Sequence, residues 1–269
     1  MNGPAFRLAL RHSARTVAIV AVALGFFYWV VLLSSSSFLG DPNQPLPPFV
    51  TDPPRAMRAF LGGSANFLSP TSWLSSGMLH PIVLSLTTIA AFVVVSGTGA
   101  TEIERGTIDL VLSRPVSRRA YLVARAAAGL LLLALAVAGG LIGVLVSRQI
   151  VRGVDQLSIV RTLVAFGGNF LLFAGFAMIA LWISARSHLR SRALGASIGV
   201  VVGSFFVNFV SLLFDALEPL GYLSPFHYLN VGNIVDGKPF VGHVVVLAAI
   251  PIAAGALARW EFARRDLTR

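Results

Sequence analysis

Three stretches of the chain pair residue types that suggest chemistry. Gly195–Gly199 reads GASIG and fits the pattern G-x-S-x-G, which would make Ser197 an acyl-transfer nucleophile with His243 as its base. That motif works at a strained strand-to-helix turn, whereas here it begins an apolar helical run. Ser197 falls near the inner end of the fifth apolar stretch and His243 near the outer end of the sixth, so the two are expected at opposite depths and hydrolysis is not. Gly232–Pro239 reads GNIVDGKP and nearly matches a P-loop. Proline stands where the magnesium-binding hydroxyl belongs and no strand-helix context surrounds it, so we read it as a chance match. The third stretch, Thr101–Arg125, reads TEIERGTIDLVLSRPVSRRAYLVAR and mixes charge, glycine, proline and an apolar run in an unusual way. Metal chemistry has little support: there are no cysteines, and His12, His80, His188, His227 and His243 show no ligand spacing.

The elements that must position these residues are membrane spans. Of 269 residues 56% are hydrophobic and 12% charged, about half the charged share of a soluble domain. Six apolar stretches are long enough for a helix to cross a bilayer, which needs roughly 20 residues. Helices are expected because lipid offers unpaired backbone groups no partner. The stretches are about Thr16–Leu33, His80–Gly99, Tyr121–Ser147, Thr162–Ser184, Leu194–Phe214 and Phe240–Ala258. The first is too long for a signal-peptide core and no cleavage pattern follows it, so it reads as a retained span. The expected fold is all-α: a single polytopic transmembrane domain, residues 1–269, with six transmembrane helices.

Arginine sets the orientation. The formal charge of +10 rests on 20 arginines and Lys238, and we read it as topology rather than a nucleic-acid surface. With both termini cytoplasmic, fifteen basic residues fall inside and six outside. An odd number of spans would destroy that bias. Residues 2–15 place Arg7, Arg11 and Arg15 on one helical face. They read either as an amphipathic helix (residues 1–15) at the membrane interface or as a positive-inside anchor. Outside, residues 34–79 form a long loop whose second half is apolar enough to fold back on the membrane. Residues 215–239 are too hydrophobic for a solvated loop and too proline-broken for a span, so a re-entrant or interfacial helical hairpin is expected.

Within the spans, Gly195, Gly199 and Gly203 repeat at i, i+4 and i+8, and Gly139 and Gly143 at i and i+4. Small residues on one face let helices approach closely. The spacing alone favours packing inside one subunit, with a dimer seam as the alternative. Asn169, Asn208, Thr87 and Thr88 are the clearest polar span residues and read as helix–helix contacts. No acidic residue sits in mid-span, which argues against an ion-coupled carrier.

Residues 101–119 lie on the cytoplasmic side between the second and third spans. Thr107 and Ser117 are candidate helix caps. An amphipathic helix there needs a partner groove or the lipid surface, and the residues alone leave an ordinary connector equally open. Glu104, Gly106, Thr107, Leu110, Leu112, Ser113, Pro115, Val116, Ser117, Arg118 and Tyr121 resemble the permease subunits of type-two ABC exporters. Phe67–Trp73 (FLSPTSW) and Leu223–Leu229 (LSPFHYL) are similar to their external segments, and the likeness extends over the whole chain.

The resemblance implies that 101–119 couples the permease to a cytoplasmic ABC ATPase subunit, with Glu102, Glu104, Gly106, Thr107, Pro115 and Arg118 as the coupling candidates. It implies ATP and magnesium on that partner and no cofactor in this chain. It also implies a second permease copy or a paralogue, a place in the cytoplasmic membrane, and export. It adds weight to a dimer without naming the seam. A membrane scaffold or sensor and an ATP-independent secondary carrier are the rival readings.

Overall fold

In the computed structural model, residues 3–38, 54–60, 69–96, 98, 117–238 and 240–264 are described, and helix is the only regular secondary structure among them. The long helices are α1 (Gly3–Phe38), α5 (Arg118–Ile150), α6 (Ile159–Arg186), α7 (Arg190–Leu213) and α9 (Val241–Arg264). The short ones are α2 (Arg55–Phe60), α3 (Pro70–Leu79), α4 (Pro81–Val95) and α8 (Val231–Asp236). Five helices are long and apolar enough to cross a bilayer, and α3 with α4, bent by 52°, raises the number to six if the pair is one span. The chain is an all-α polytopic membrane protein.

The bend has a local cause. Pro81 supplies no N–H and holds His80 in an extended conformation, ending α3 and starting α4. The His80 ring accepts a hydrogen bond from the Ile82 amide at 3.2 Å and caps the new helix. Ser69–Pro70 starts α3 the same way, with Ser69 Oγ accepting from the Ser72 amide at 3.2 Å. Each of these short helices thus begins at a residue–proline pair.

Helix α1 is one unbroken helix. Its first turns expose Arg7, Arg11 and Arg15 on one side, as the spacing requires, and continue into the span without a break. Its opposite side, Val17, Val20, Leu24, Tyr28 and Leu32, is buried. Helix α6 is central, with 67% of its apolar stretch buried against 22% for α7 and 17% for α9. Around it, α1 packs along α5 and α9 along α6, while α7 touches α6 and the short elements that follow it.

The segment expected as a hairpin is two 3-10 stretches, Asp215–Leu223 and Pro225–Tyr228, followed by α8. Ser224 caps the second stretch by accepting from the Phe226 amide at 3.2 Å, and its hydroxyl donates to the Ser204 carbonyl of α7 at 2.7 Å. Phe226 is buried, 5.4 Å from the Phe176 ring and 5.7 Å from the Phe205 ring. The LSPFHYL stretch therefore plugs the gap between the fourth and fifth spans.

Candidate functional site

Glu102, Glu104, Gly106, Thr107 and Pro115 lie outside the described residues. Arg118 opens α5, and of its side chain nothing is described. What the structure does define is how the two flanks of this segment are held. At the far end, Ser117 caps α5 by accepting from the Ala120 amide at 3.2 Å. At the near end, α4 finishes at Val95 with Ser96 as its cap.

The carbonyls at the end of a helix lack intrahelical partners, and those here are buried. Other spans supply the donors. Arg125 of α5 donates from Nη2 to the Val94 carbonyl at 2.8 Å and from Nε to Thr98 Oγ1 at 3.2 Å. Ser184 of α6, fully buried, places its hydroxyl 3.1 Å from the Ser96 carbonyl and 3.0 Å from that of Thr98. A cation at a helix C-terminus is also favoured by the helix dipole. Close approach makes the contact possible: a Cβ on Gly129 would fall 2.9 Å from Val95 Cγ1.

On the same face, Arg186 pairs with Glu261 at 3.5 Å and lies 5.4 Å from the Trp182 ring, while Arg264 lies 4.4 Å over Trp260. Cations stacked on tryptophan suit a membrane interface. The ends of α4, α6 and α9 thus gather with the start of α5, and α1 runs parallel to α5, which brings the start of α1 to this face as well.

The opposite face gathers α2, the two 3-10 stretches, α8 and the start of α9. Arg55 of α2 pairs with Asp215 at 2.9 Å. Arg161 of α6 donates to the Val235 carbonyl at 2.8 Å. His227 and His243, on separate elements, bring their rings within 6.1 Å beside Tyr222, Tyr228 and Phe240. Burial holds His227 below its ordinary pKa, the neighbouring His243 adds to this, and Glu218 opposes it. Among the described residues no three His, Asp or Glu side chains could hold a metal ion.

The near-miss motifs come apart. Ser197 is buried and its hydroxyl donates to the Ala193 carbonyl at 2.7 Å, at the opposite end of the bundle from His243. In GNIVDGKP, Gly237 terminates a helix with φ of 79°, whereas a P-loop glycine turn leads into one. Asn169 is buried, with its Nδ2 lacking an acceptor among the described residues, and Asn208 is buried too.

The two glycine repeats have opposite fates. Gly139 and Gly143 meet the α1 backbone at Ala21 and Gly25 so closely that neither has room for a Cβ. Around Gly195, Gly199 and Gly203 a Cβ would meet nothing within 4 Å. All three are exposed, so packing inside one subunit, which their spacing favoured, finds no neighbour among the described residues.

The family model for ABC-2 family transporter proteins matches residues 18–267, nearly the whole chain. This chain belongs to the ABC-2 transporter family. Comparison with curated proteins returned no match. Membership makes this ABC-2 protein a multi-pass membrane transport component of a family whose permeases work with an ABC ATPase. The resemblance in Glu104–Tyr121 pointed to the same family.

Sequence reasoning missed the clamp of Arg125, Thr98 and Ser184. It counted Arg125 only among the basic residues that orient the helices. Its position gave a signal, since an arginine about two turns inside an apolar helix has to find acceptors.

Proposed function

We propose that this ABC-2 protein is the membrane-spanning permease of an exporter in the cytoplasmic membrane, driven by a separate ATPase that carries ATP and magnesium. Two copies, or one copy and a paralogue, enclose the substrate path. The family match over residues 18–267 carries this reading. Residues 101–119 are the joint to the ATPase, with Glu102, Glu104, Gly106, Thr107, Pro115 and Arg118 as its contact residues. The arginine bias supports placing this face in the cytoplasm. The open glycine face of α7 supports a seam between two permeases at Gly195, Gly199 and Gly203, because small residues let helices approach closely only where a second helix comes to meet them.

The test is a detergent pull-down of tagged protein beside a Glu104→Ala, Arg118→Ala double variant, with mass spectrometry of what co-purifies. A P-loop ATPase bound to the wild type and lost or uncoupled in the variant is the expected result. Absence of any ATPase under several mild conditions would return the chain to a scaffold or carrier role.

A further inference from the structure

The two described flanks of the segment 99–116 are fastened to each other, and the first of them also to the central helix α6. Thr98 precedes the segment and Ser117, one residue before α5, follows it. Arg125, from the second turn of α5, reaches back to the Val94 carbonyl and the Thr98 hydroxyl. Thr98 Oγ1 also donates to the Val94 carbonyl at 3.1 Å, so cation, hydroxyl and carbonyl form one knot. Ser184 closes it from α6 through the Ser96 and Thr98 carbonyls.

Thr98 and Ser184 are wholly buried and Arg125 is half-buried. Breaking the knot would strand buried backbone acceptors, which costs more than a surface hydrogen bond would. Charge-assisted bonds from a guanidinium are also the stronger kind. The end of the second span is therefore stiffly tied to the third and fourth spans, where an ordinary helix end would fray.

We propose that Arg125 is a positioning residue: with Ser184 it binds the carbonyl end of the second span, so that both ends of the coupling segment and the fourth span move as one body. Displacement of residues 101–119 then passes directly to α6, the most buried span. The part in coupling rests on the ATPase reading above, whereas the clamp itself does not.

The chain has no native cysteine, so paired spin labels can be placed on it cleanly. Labels at Arg119→Cys and His188→Cys, both exposed positions, report the third span against the fourth. In lipid nanodiscs without any ATPase, the wild-type background should give one narrow distance. Arg125→Met and Ser184→Ala should broaden it, and Arg125→Lys should restore much of the narrowness. Thr98→Val, which keeps the charge, should broaden it less. Narrow distances in Arg125→Met and Ser184→Ala variants that melt like the wild type would overturn the clamp.

A second pair, at His188→Cys and Tyr222→Cys, is read in the complex with the co-purified ATPase. A shift on adding ATP with vanadate should appear in the wild-type background. It should be lost in Arg125→Met while ATP hydrolysis and complex assembly persist. Hydrolysis and shift both unchanged in Arg125→Met would overturn the positioning role. Failure of the wild type to retain an ATPase would count against the transporter reading alone, because the first pair decides the clamp independently.

Discussion

Gly25 of α1 and Gly139 of α5 touch backbone to backbone: a Cβ on Gly25 would lie 2.8 Å from the Gly139 carbonyl oxygen. With Gly143, which meets Gly25 in turn, they make the closest approach found at any described glycine. Lipid tails are as apolar as the side chains, so such a crossing is held by close packing rather than by exclusion of water.

That crossing should tolerate no bulk. Gly139→Val or Gly143→Val is expected to destabilise the protein by about 1–3 kcal/mol, the usual range for overpacking. Thermal unfolding in detergent checks this. Gly199→Val, with nothing within 4 Å, should melt like the wild type in the isolated protomer.

The open face of α7 should be close to its counterpart in an assembled dimer. Gly199→Cys or Gly203→Cys is expected to give an oxidant-induced cross-linked dimer in native membranes. Val245→Cys, exposed on α9, should not. Equal cross-linking at all three positions would indicate random collision and remove the seam from α7.

Acid should loosen the face around His227. His227, against His243, Tyr222, Tyr228 and Glu218, has its pKa lowered by burial, while an unfolded histidine titrates near about 6.5. The unfolded chain therefore takes up the proton first. This contribution to stability is complete above that value and is lost as pH falls below it, until folded His227 is itself protonated. His227→Phe should flatten the fall in melting temperature between neutral and mildly acidic pH. An unchanged profile would show that other groups set it.

Gly237 should resist substitution for two separate reasons. Its φ of 79° disfavours any Cβ, and a Cβ there would fall 2.7 Å from Arg161 Nη2. Gly237→Ala is expected to cost on the order of 1–2 kcal/mol from the left-handed backbone alone. It should also displace the Arg161 bond to Val235. Faster hydrogen exchange over 231–236, with exchange in α5 unchanged, is the measurement.

Much of this protein is local and was legible from residue order. Span length and apolar content are properties of contiguous segments, and they picked out the five long helices and α4 of the bent α3–α4 pair without any long-range contact. The cap at Ser117 was read from the sequence, and the bend at His80–Pro81, which was not, has an equally local cause, each bond lying within three residues. The Glu104–Tyr121 motif carried the family for the same reason.

What the residue order left undecided was the direction each helix faces. Gly139 and Gly143 carry the same four-residue spacing as Gly195, Gly199 and Gly203. Only the tertiary structure buried the first pair against α1 and left the second set open. Arg125 read as one more inner-face cation until the end of α4 brought the Val94 carbonyl and the Thr98 hydroxyl to meet it. His227 and His243 likewise came together only when the external segment folded over the start of α9. The physical reason is rotational: periodicity defines a stripe on a helix, but the neighbour that covers the stripe lies tens of residues away and is chosen by packing.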